Sequence, residues 1–287
     1  MAEAIAPRSV EVMVSTLEDV KPVPVVLGGV RGGPDVRTLR KDAWWRAPAV
    51  TVAFLSAFLA YATWAAFQNA NYYVGAAAHR DLISPFYSPC VAASCVPGAR
   101  GGLYLTWWEI SPALVILIIP LGFRFTCYYY RKAYYRGFWR SPPACGVADG
   151  HRRYSGESRF PLILQNLHRY FFAAGLAFNV ILTIDAFMAF RLPGEGGVGV
   201  SVGTLVLCAN AVLLWLYSLS CHACRHLCGG NVNRFSKHRL RHRAWKLVTP
   251  LNGRHMQLAW VSLTMVALAD LYVRLVASGV FVDPKII

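Results

Sequence analysis

Long apolar stretches separated by short polar and basic segments dominate the pattern along this chain. Five of them, about residues 47–67, 104–127, 162–190, 198–221 and 256–278, approach the roughly 20 residues a helix needs to cross a bilayer. The first, "APAVTVAFLSAFLAYATWAAF", is entered through Trp44, Trp45 and Arg46. The second carries Trp107 and Trp108 near its start, where an interfacial aromatic belt would sit. Pro120 inside it predicts a kink. An open sheet cannot satisfy its backbone in lipid, so the expected fold is all-α: a polytopic, five-transmembrane-helix bundle. Residues 1–46 form an N-terminal segment, 47–279 the transmembrane domain and 280–287 a tail. The Gly- and Pro-rich stretch Lys21 to Pro34 predicts a weakly ordered lead-in lying against a partner. There is neither an internal repeat nor a low-complexity tract.

Composition fits this pattern. The chain has 287 residues, 56% of them hydrophobic and only 15% charged, with a mean hydropathy of +0.39. A net charge of +15 raises nucleic acid as a partner. The charge lies in loops beside apolar spans, however, which is the positive-inside distribution and argues for no nucleic acid. Residues 124–159 hold eight Lys and Arg, and residues 222–255 hold eight with no acid at all. The other two loops hold only Arg80, Arg100 and Arg191. The expected orientation is therefore a cytoplasmic N-terminus, two cytoplasmic basic loops and an external C-terminus. The first 46 residues mix seven basic with six acidic residues and lack an apolar core, so no cleavable signal is expected.

That topology sorts the eight cysteines. Cys90 and Cys95 fall in an external loop, where a disulfide is the natural reading, and Cys208 lies mid-span as a packing residue. Cys127, Cys145, Cys221, Cys224 and Cys228 all fall on the cytoplasmic side. The densest stretch is "SCHACRHLCGG", in which His222 and His226, four apart, share a helix face. Helix ends would bring Cys127, Cys145, His168, Cys221, His222 and His226 to one membrane level. Cys224 and Cys228 lie along a different stripe. Mixed thiolate and imidazole ligands suit zinc or an iron–sulfur cluster, two of each being the Rieske-type [2Fe–2S] set, and imidazoles alone suit haem b. Histidines and basic residues also close helix C-termini for dipole reasons, so position alone leaves both readings open. His238 and His242 in "SKHRLRHR" read as a solvated basic face, and His255 enters the fifth span.

Charges inside spans are costly and default to paired or functional roles. Asp185 and Asp270 lie in the outer halves of the third and fifth spans, with Arg274 and Arg191 nearby. Pairing of Asp270 with Arg191, or Asp185 with Arg274, is one expectation; a proton path or an outer quinone site is the other. An ion-coupled transporter using these acids is a further class, disfavoured by the missing repeat. The aromatic run "RFTCYYYRKAYYRGFW" suits either a quinone head group or an ordinary interfacial belt.

The segments "TCYYYRKAYYR", "PPAC", "RFPLILQNLHRYFF", "SCHACRH", "LNGRHMQLAW" and "VALADLYVR" together resemble the five-helix membrane-anchor subunit of actinobacterial succinate dehydrogenase, respiratory complex II. The resemblance runs from Arg124 to Arg274 in motif, and the first hundred residues match in layout. It implies a bacterial plasma-membrane chain that docks a flavoprotein with FAD and an iron–sulfur subunit with further clusters. It implies a non-flavin subunit that passes electrons to a quinone such as menaquinone, among phospholipid, and leaves open a small extra membrane subunit and a higher oligomer. Spans 1 and 2 contain no histidine, which disfavours a two-haem arrangement. A Rieske-type [2Fe–2S] cluster, known in some relatives of this type, is the favoured cofactor, with haem b the alternative. The expected ligands are two of Cys127, Cys145 and Cys221 with two of His168, His222 and His226. Tyr128, Gln165, His168, Arg169 and Trp245 are the expected quinone contacts.

Overall fold

A computed structural model of the chain describes residues 38–75, 81–90, 103–105, 108–151, 156–193, 196–230 and 232–286. Among the described residues four helices are long and apolar enough to span a membrane: α1 (Arg46–Gln68), α5 (His168–Met188, preceded by a 3-10 stretch over Leu162–Leu167), α6 (Val202–Leu219) and α9 (His255–Ala277). They are apolar nearly all round, as helices shared between lipid and a bundle core must be. α1 ends where Asn69 turns left-handed at φ 46°. α6 starts on a reciprocal cap, in which Ser201 and Thr204 side chains satisfy each other's backbone N–H groups.

The second apolar stretch departs from a plain span. Its first third is a hairpin, β3 (Leu103–Leu105) paired with β4 (Trp108–Ile110), following the short pair β1 (Tyr73–Val74) and β2 (Leu82–Ile83). Its helix begins only at Pro112, running as α2 (Pro112–Ile116) and α3 (Ile118–Phe125). The chain then turns by 71° into α4 (Tyr128–Ala133) and a π-helical turn over Tyr134–Phe138. The strong bend thus falls at Thr126 and Cys127, not at Pro120, whose missing N–H coincides with the small break at Leu117. Likewise the fourth stretch opens as the pair β5 (Arg191–Leu192) and β6 (Gly197–Val198), and becomes helical only at Val202. Beyond α6 the chain makes two surface helices, α7 (His222–Gly229) and α8 (Arg239–Gly253).

α9 packs on α6, α6 on α5, α5 on α3, and α7 on α8. The core falls into three clusters. One, around Phe123, Cys127, Tyr130, Phe172, Tyr217, Cys221 and Leu263, lies at the end of the bundle that carries the basic loops. The other two, around Ala65, Tyr87 and Ala113 and around Leu207, Ala269 and Val273, lie towards the opposite end.

At that opposite end the intramembrane charges are settled by one network. Asp270, fully buried, accepts from Arg274 Nε at 2.8 Å and Tyr61 hydroxyl at 2.6 Å, and also from the Ser84 hydroxyl. Arg274 donates its remaining nitrogens to the carbonyls of Ala65 (2.8 Å) and Ala70 (2.9 Å), closing the C-terminal end of α1. The expected cross-helix pairings are therefore corrected: Asp270 pairs with Arg274 one turn away on its own helix, where i,i+4 spacing suffices. Asp185 instead accepts from Ser88, and Arg191 is exposed beside Met188. Ser84 and Ser88 thus pin one loop to α9 and α5. Cys90 is disulfide-bonded; its expected partner Cys95 lies outside the described residues, as do Trp107 and His79.

Candidate metal centre

At the basic end, two chain breaks and two helix starts meet. Thr126–Cys127 follows α3, and Ser220–Cys221 follows α6. Each cysteine is extended (φ −62°, ψ 130° and φ −65°, ψ 145°) and caps the start of a short helix. His168 and His255 are the first residues of α5 and α9. The four segments interlock crosswise. His168 Nδ1 lies 2.9 Å from Thr126 Oγ1 while its Nε2 lies 2.9 Å from Cys221 Sγ. His255 Nδ1 lies 2.7 Å from Ser220 Oγ while its Nε2 lies 3.2 Å from Cys127 Sγ.

The proton positions follow from counting donors. Thr126 donates its single hydroxyl hydrogen to the Gly122 carbonyl at 2.7 Å, and Ser220 donates its own to the Tyr217 carbonyl at 2.7 Å. Carbonyls cannot donate, so each hydroxyl accepts from the imidazole, which must carry its hydrogen on Nδ1. Both Nε2 lone pairs then face a thiol, the tautomer a ligating histidine needs. Cys127 and Cys221 are 1% exposed and His255 is 5% exposed, so these three are shielded from water, while His168 is partly exposed. Phe123 stacks on His168 (5.3 Å), Tyr217 stacks on His255 (5.2 Å), and the two aromatic rings touch each other at 5.3 Å. The four donors approach as two pairs; among the described residues no three converge as on a single metal ion.

Residues 46–279 match the family model for actinobacterial succinate dehydrogenase subunit SdhC. The chain belongs to that family. A chain of the Mycobacterium smegmatis Sdh1 complex in the apo form is similar in structure, with 48% identity, a TM-score of 0.79, and coverage of 91% of this chain and 98% of that one. No curated protein matches the sequence. As an SdhC-family subunit this is the membrane-anchor chain of succinate dehydrogenase, its apolar helices supplying the anchor.

Within the SdhC-family chain, the expected ligands separate into two groups. Cys127, Cys221 and His168 come together, and the residue that completes them is His255, which sequence reasoning placed at a span entrance but outside the ligand set. His222 is exposed, its ring 6.1 Å from that of His255 and its Nδ1 3.3 Å from Asn252. His226 is exposed on α7. Cys145 is exposed on a loop, its sulfur 3.9 Å from Arg136. The reason is the break at Cys221: α6 does not continue into α7, so the spacing of His222 and His226 on one helix says nothing about facing Cys127. One signal in the sequence anticipates the residues that meet here. A hydroxyl residue directly precedes cysteine at three places; the one at Ser94–Cys95 lies between apolar stretches, while "TC" at 126–127 and "SC" at 220–221 each fall at the end of one.

The expected quinone contacts are dispersed. Tyr128 is exposed beside His222 and Arg131, Arg169 is exposed, and Trp245 lies under Arg225 between α7 and α8. Gln165 is buried with both amide atoms unpartnered. A cavity of about 670 Å³ opens instead between α1, α3 and the 3-10 stretch, lined by Leu59, Leu121, Leu164 and Phe171 and, at its polar side, by Arg124, Thr126, Tyr130 and Tyr134. Thr126 joins it to the centre, since the same residue holds His168.

Proposed function

We propose that this SdhC-family chain anchors the flavoprotein and iron–sulfur subunits at the cytoplasmic face of the bacterial plasma membrane, N-terminus inside. We also propose that it passes electrons to a quinone such as menaquinone through a Rieske-type [2Fe–2S] cluster. Cys127 and Cys221 would hold it as thiolates, and His168 and His255 through Nε2. The observation that carries this is the tautomer lock: Thr126 and Ser220 each fix one imidazole with its Nε2 lone pair against a thiol.

When bound, such a cluster supplies a one-electron relay between the iron–sulfur subunit and the quinone. This chain's residues do the rest. Thr126 and Ser220 orient the imidazoles, and the burial of Cys127 and Cys221 keeps water from the donors. The basic loops, with eight Lys and Arg each, receive the partner subunits. The 670 Å³ cavity takes the quinone ring among apolar side chains, with the Tyr134 hydroxyl and Arg124 as hydrogen-bond donors to its carbonyls; Tyr130, whose hydroxyl donates to the Ala259 carbonyl at 3.0 Å, holds Arg124 in place. A haem b fits less well, because the Nε2 of each imidazole already faces a cysteine sulfur, a mixed donor set rather than a pair of imidazoles. Phospholipid surrounds the spans; the crosswise donor set does not bear on a small extra subunit or a higher oligomer.

The test is purification of the intact complex from its native membrane, followed by iron, acid-labile sulfide, flavin and haem analysis with EPR spectra of the reduced enzyme. The expected result is co-purifying flavoprotein and iron–sulfur subunits and an extra [2Fe–2S] signal of the nitrogen-ligated kind. A haem absorption band with no such signal would sink the cluster, and isolation without partner subunits would sink the docking role.

A further inference from the structure

Among the described residues Arg124, at the basic end of the second span, is a cation without an acid partner. It sits at the end of α3, three residues before Cys127, and is half-buried. Its Nη1 donates to the Ala259 carbonyl (3.2 Å) and the Tyr130 hydroxyl (3.3 Å), and its Nη2 to the Ser262 hydroxyl (3.1 Å). Among the described residues it forms no ion pair; the pairs found are Arg40 with Asp42 and Arg274 with Asp270. At the far end of the bundle Arg274 has a carboxylate one turn away, so the contrast is internal to the molecule. A charge held in a bundle without its counter-charge is expensive, and neutral acceptors offset only part of the cost. A negative charge close to Arg124 would offset the rest.

The geometry indicates what that is. The guanidinium carbon lies 4.6 Å from the centre of the Tyr217 ring, and that ring stacks on His255 with centroids 5.2 Å apart and planes 8° apart. Ala259, which accepts from Arg124, is one helical turn beyond His255 on α9. Arg124 therefore contacts the two supports of the Cys127–His255 pair, α9 at Ala259 and Tyr217, both buried. Across those buried groups its field is screened less than in water.

We propose that Arg124 is a tuning residue whose fixed positive charge favours the reduced state of the centre built on Cys127, Cys221, His168 and His255. The inference rests on the cluster reading above. Two thiolates bring negative charge to the site, and reduction adds one electron while no bond in the chain forms or breaks. A cation held nearby stabilises that added charge and raises the reduction potential, one of the levers a protein has over an iron–sulfur centre. The hydrogen bonds to Ala259, Tyr130 and Ser262 hold the charge in place without neutralising it, which a carboxylate would do. Arg124 also lines the quinone-sized cavity, so the electrostatic role and the docking role need separating by experiment.

The experiment is a potentiometric EPR titration of the purified complex, with dithionite as the reductant and dye mediators, on wild type, Arg124→Gln and Arg124→Lys. Iron and labile sulfide are measured on each sample. Arg124→Gln is expected to disfavour reduction about tenfold, a fall of about 59 mV for a one-electron couple. Arg124→Lys, which keeps the charge but not the fork, is expected to stay near wild type. An unchanged midpoint in Arg124→Gln overturns the proposal, as does an equal fall in Arg124→Lys, since that would assign the effect to hydrogen bonding. If Arg124→Gln does not assemble, Ser262→Asp places a carboxylate against the guanidinium and should lower the midpoint likewise; no change there also overturns the proposal. A wild-type complex without the nitrogen-ligated signal fails the cluster reading instead, before any variant is compared.

Discussion

His255 Nε2 lies 3.2 Å from Cys127 Sγ, although 128 residues separate them in the chain. A loop of that length closes at an entropic cost, and the return comes from the α9 face that packs on α6. The contact makes His255, rather than either histidine of "SCHACRHLCGG", the partner of Cys127. His255→Ala in the complex is therefore expected to abolish the membrane-subunit cluster signal and lower acid-labile sulfide by one cluster's worth. His222→Ala and His226→Ala should leave both unchanged. Retention of the signal in His255→Ala would remove His255 from the ligand set.

The hydroxyls that hold the imidazoles carry their own prediction. Replacing Thr126 by Val or Ser220 by Ala leaves both ligand pairs intact and frees one ring to rotate. Losses of outer partners of this kind typically cost 10–100-fold in metal affinity or activity, and a similar drop is expected in cluster occupancy or quinone-linked turnover. Iron analysis alongside turnover separates the two, and Thr126→Ser should restore function.

The cavity can be blocked without touching the centre. A Cβ placed on Gly122 would come 2.1 Å from the Phe171 ring, and both residues line the cavity, so Gly122→Val forces that ring to move. Succinate-driven reduction of quinone is expected to fall at least tenfold while electron transfer to a soluble dye from the partner subunits is retained. Equal loss in both assays would mean that assembly, not quinone entry, had failed.

At the opposite end, Asp270→Asn leaves Arg274 buried without its counter-charge. Breaking one side of such a pair costs about 3–5 kcal/mol, and the variant should accumulate poorly or lose its partners at lower temperature than wild type. The test is a thermal-stability curve of the detergent-solubilised complex. A curve superimposable on wild type would show that the carbonyls of Ala65 and Ala70 suffice for Arg274.

Burial, and then the neighbouring Cys228, pushes the Cys224 thiol up to about 11. A raised value means a neutral thiol at neutral pH, with the reactive thiolate growing about tenfold per unit as pH rises towards that value. Alkylation of Cys224 by iodoacetamide, followed by peptide mass spectrometry, should be slow at pH 7.5 and climb steeply above pH 9.5. In the denatured chain the climb should be complete near the ordinary cysteine value. Native labelling at the denatured rate would contradict the burial.

Much of this protein is set by composition and period. Apolar runs such as 47–67 and 256–278 had to become helices because lipid offers no partner for the backbone, and the basic segments had to lie at one end of them. The motif residues from Cys127 to Arg274 carried the family. Three things needed the folded chain. Backbone breaks at Thr126–Cys127 and Ser220–Cys221 are invisible to hydropathy, because both lie within or beside apolar runs, yet they turn the two thiols inward. Which histidine meets which thiol depends on how α5 and α9 start against those breaks, so His168 and His255, and not the nearer His222 and His226, lie against the thiols. The third is the counter-charge of two arginines: Arg274 finds Asp270 one turn away, a local fact the sequence contains, whereas Arg124 meets the neutral groups of Tyr130, Tyr217, Ala259 and Ser262, a long-range fact that packing alone decides.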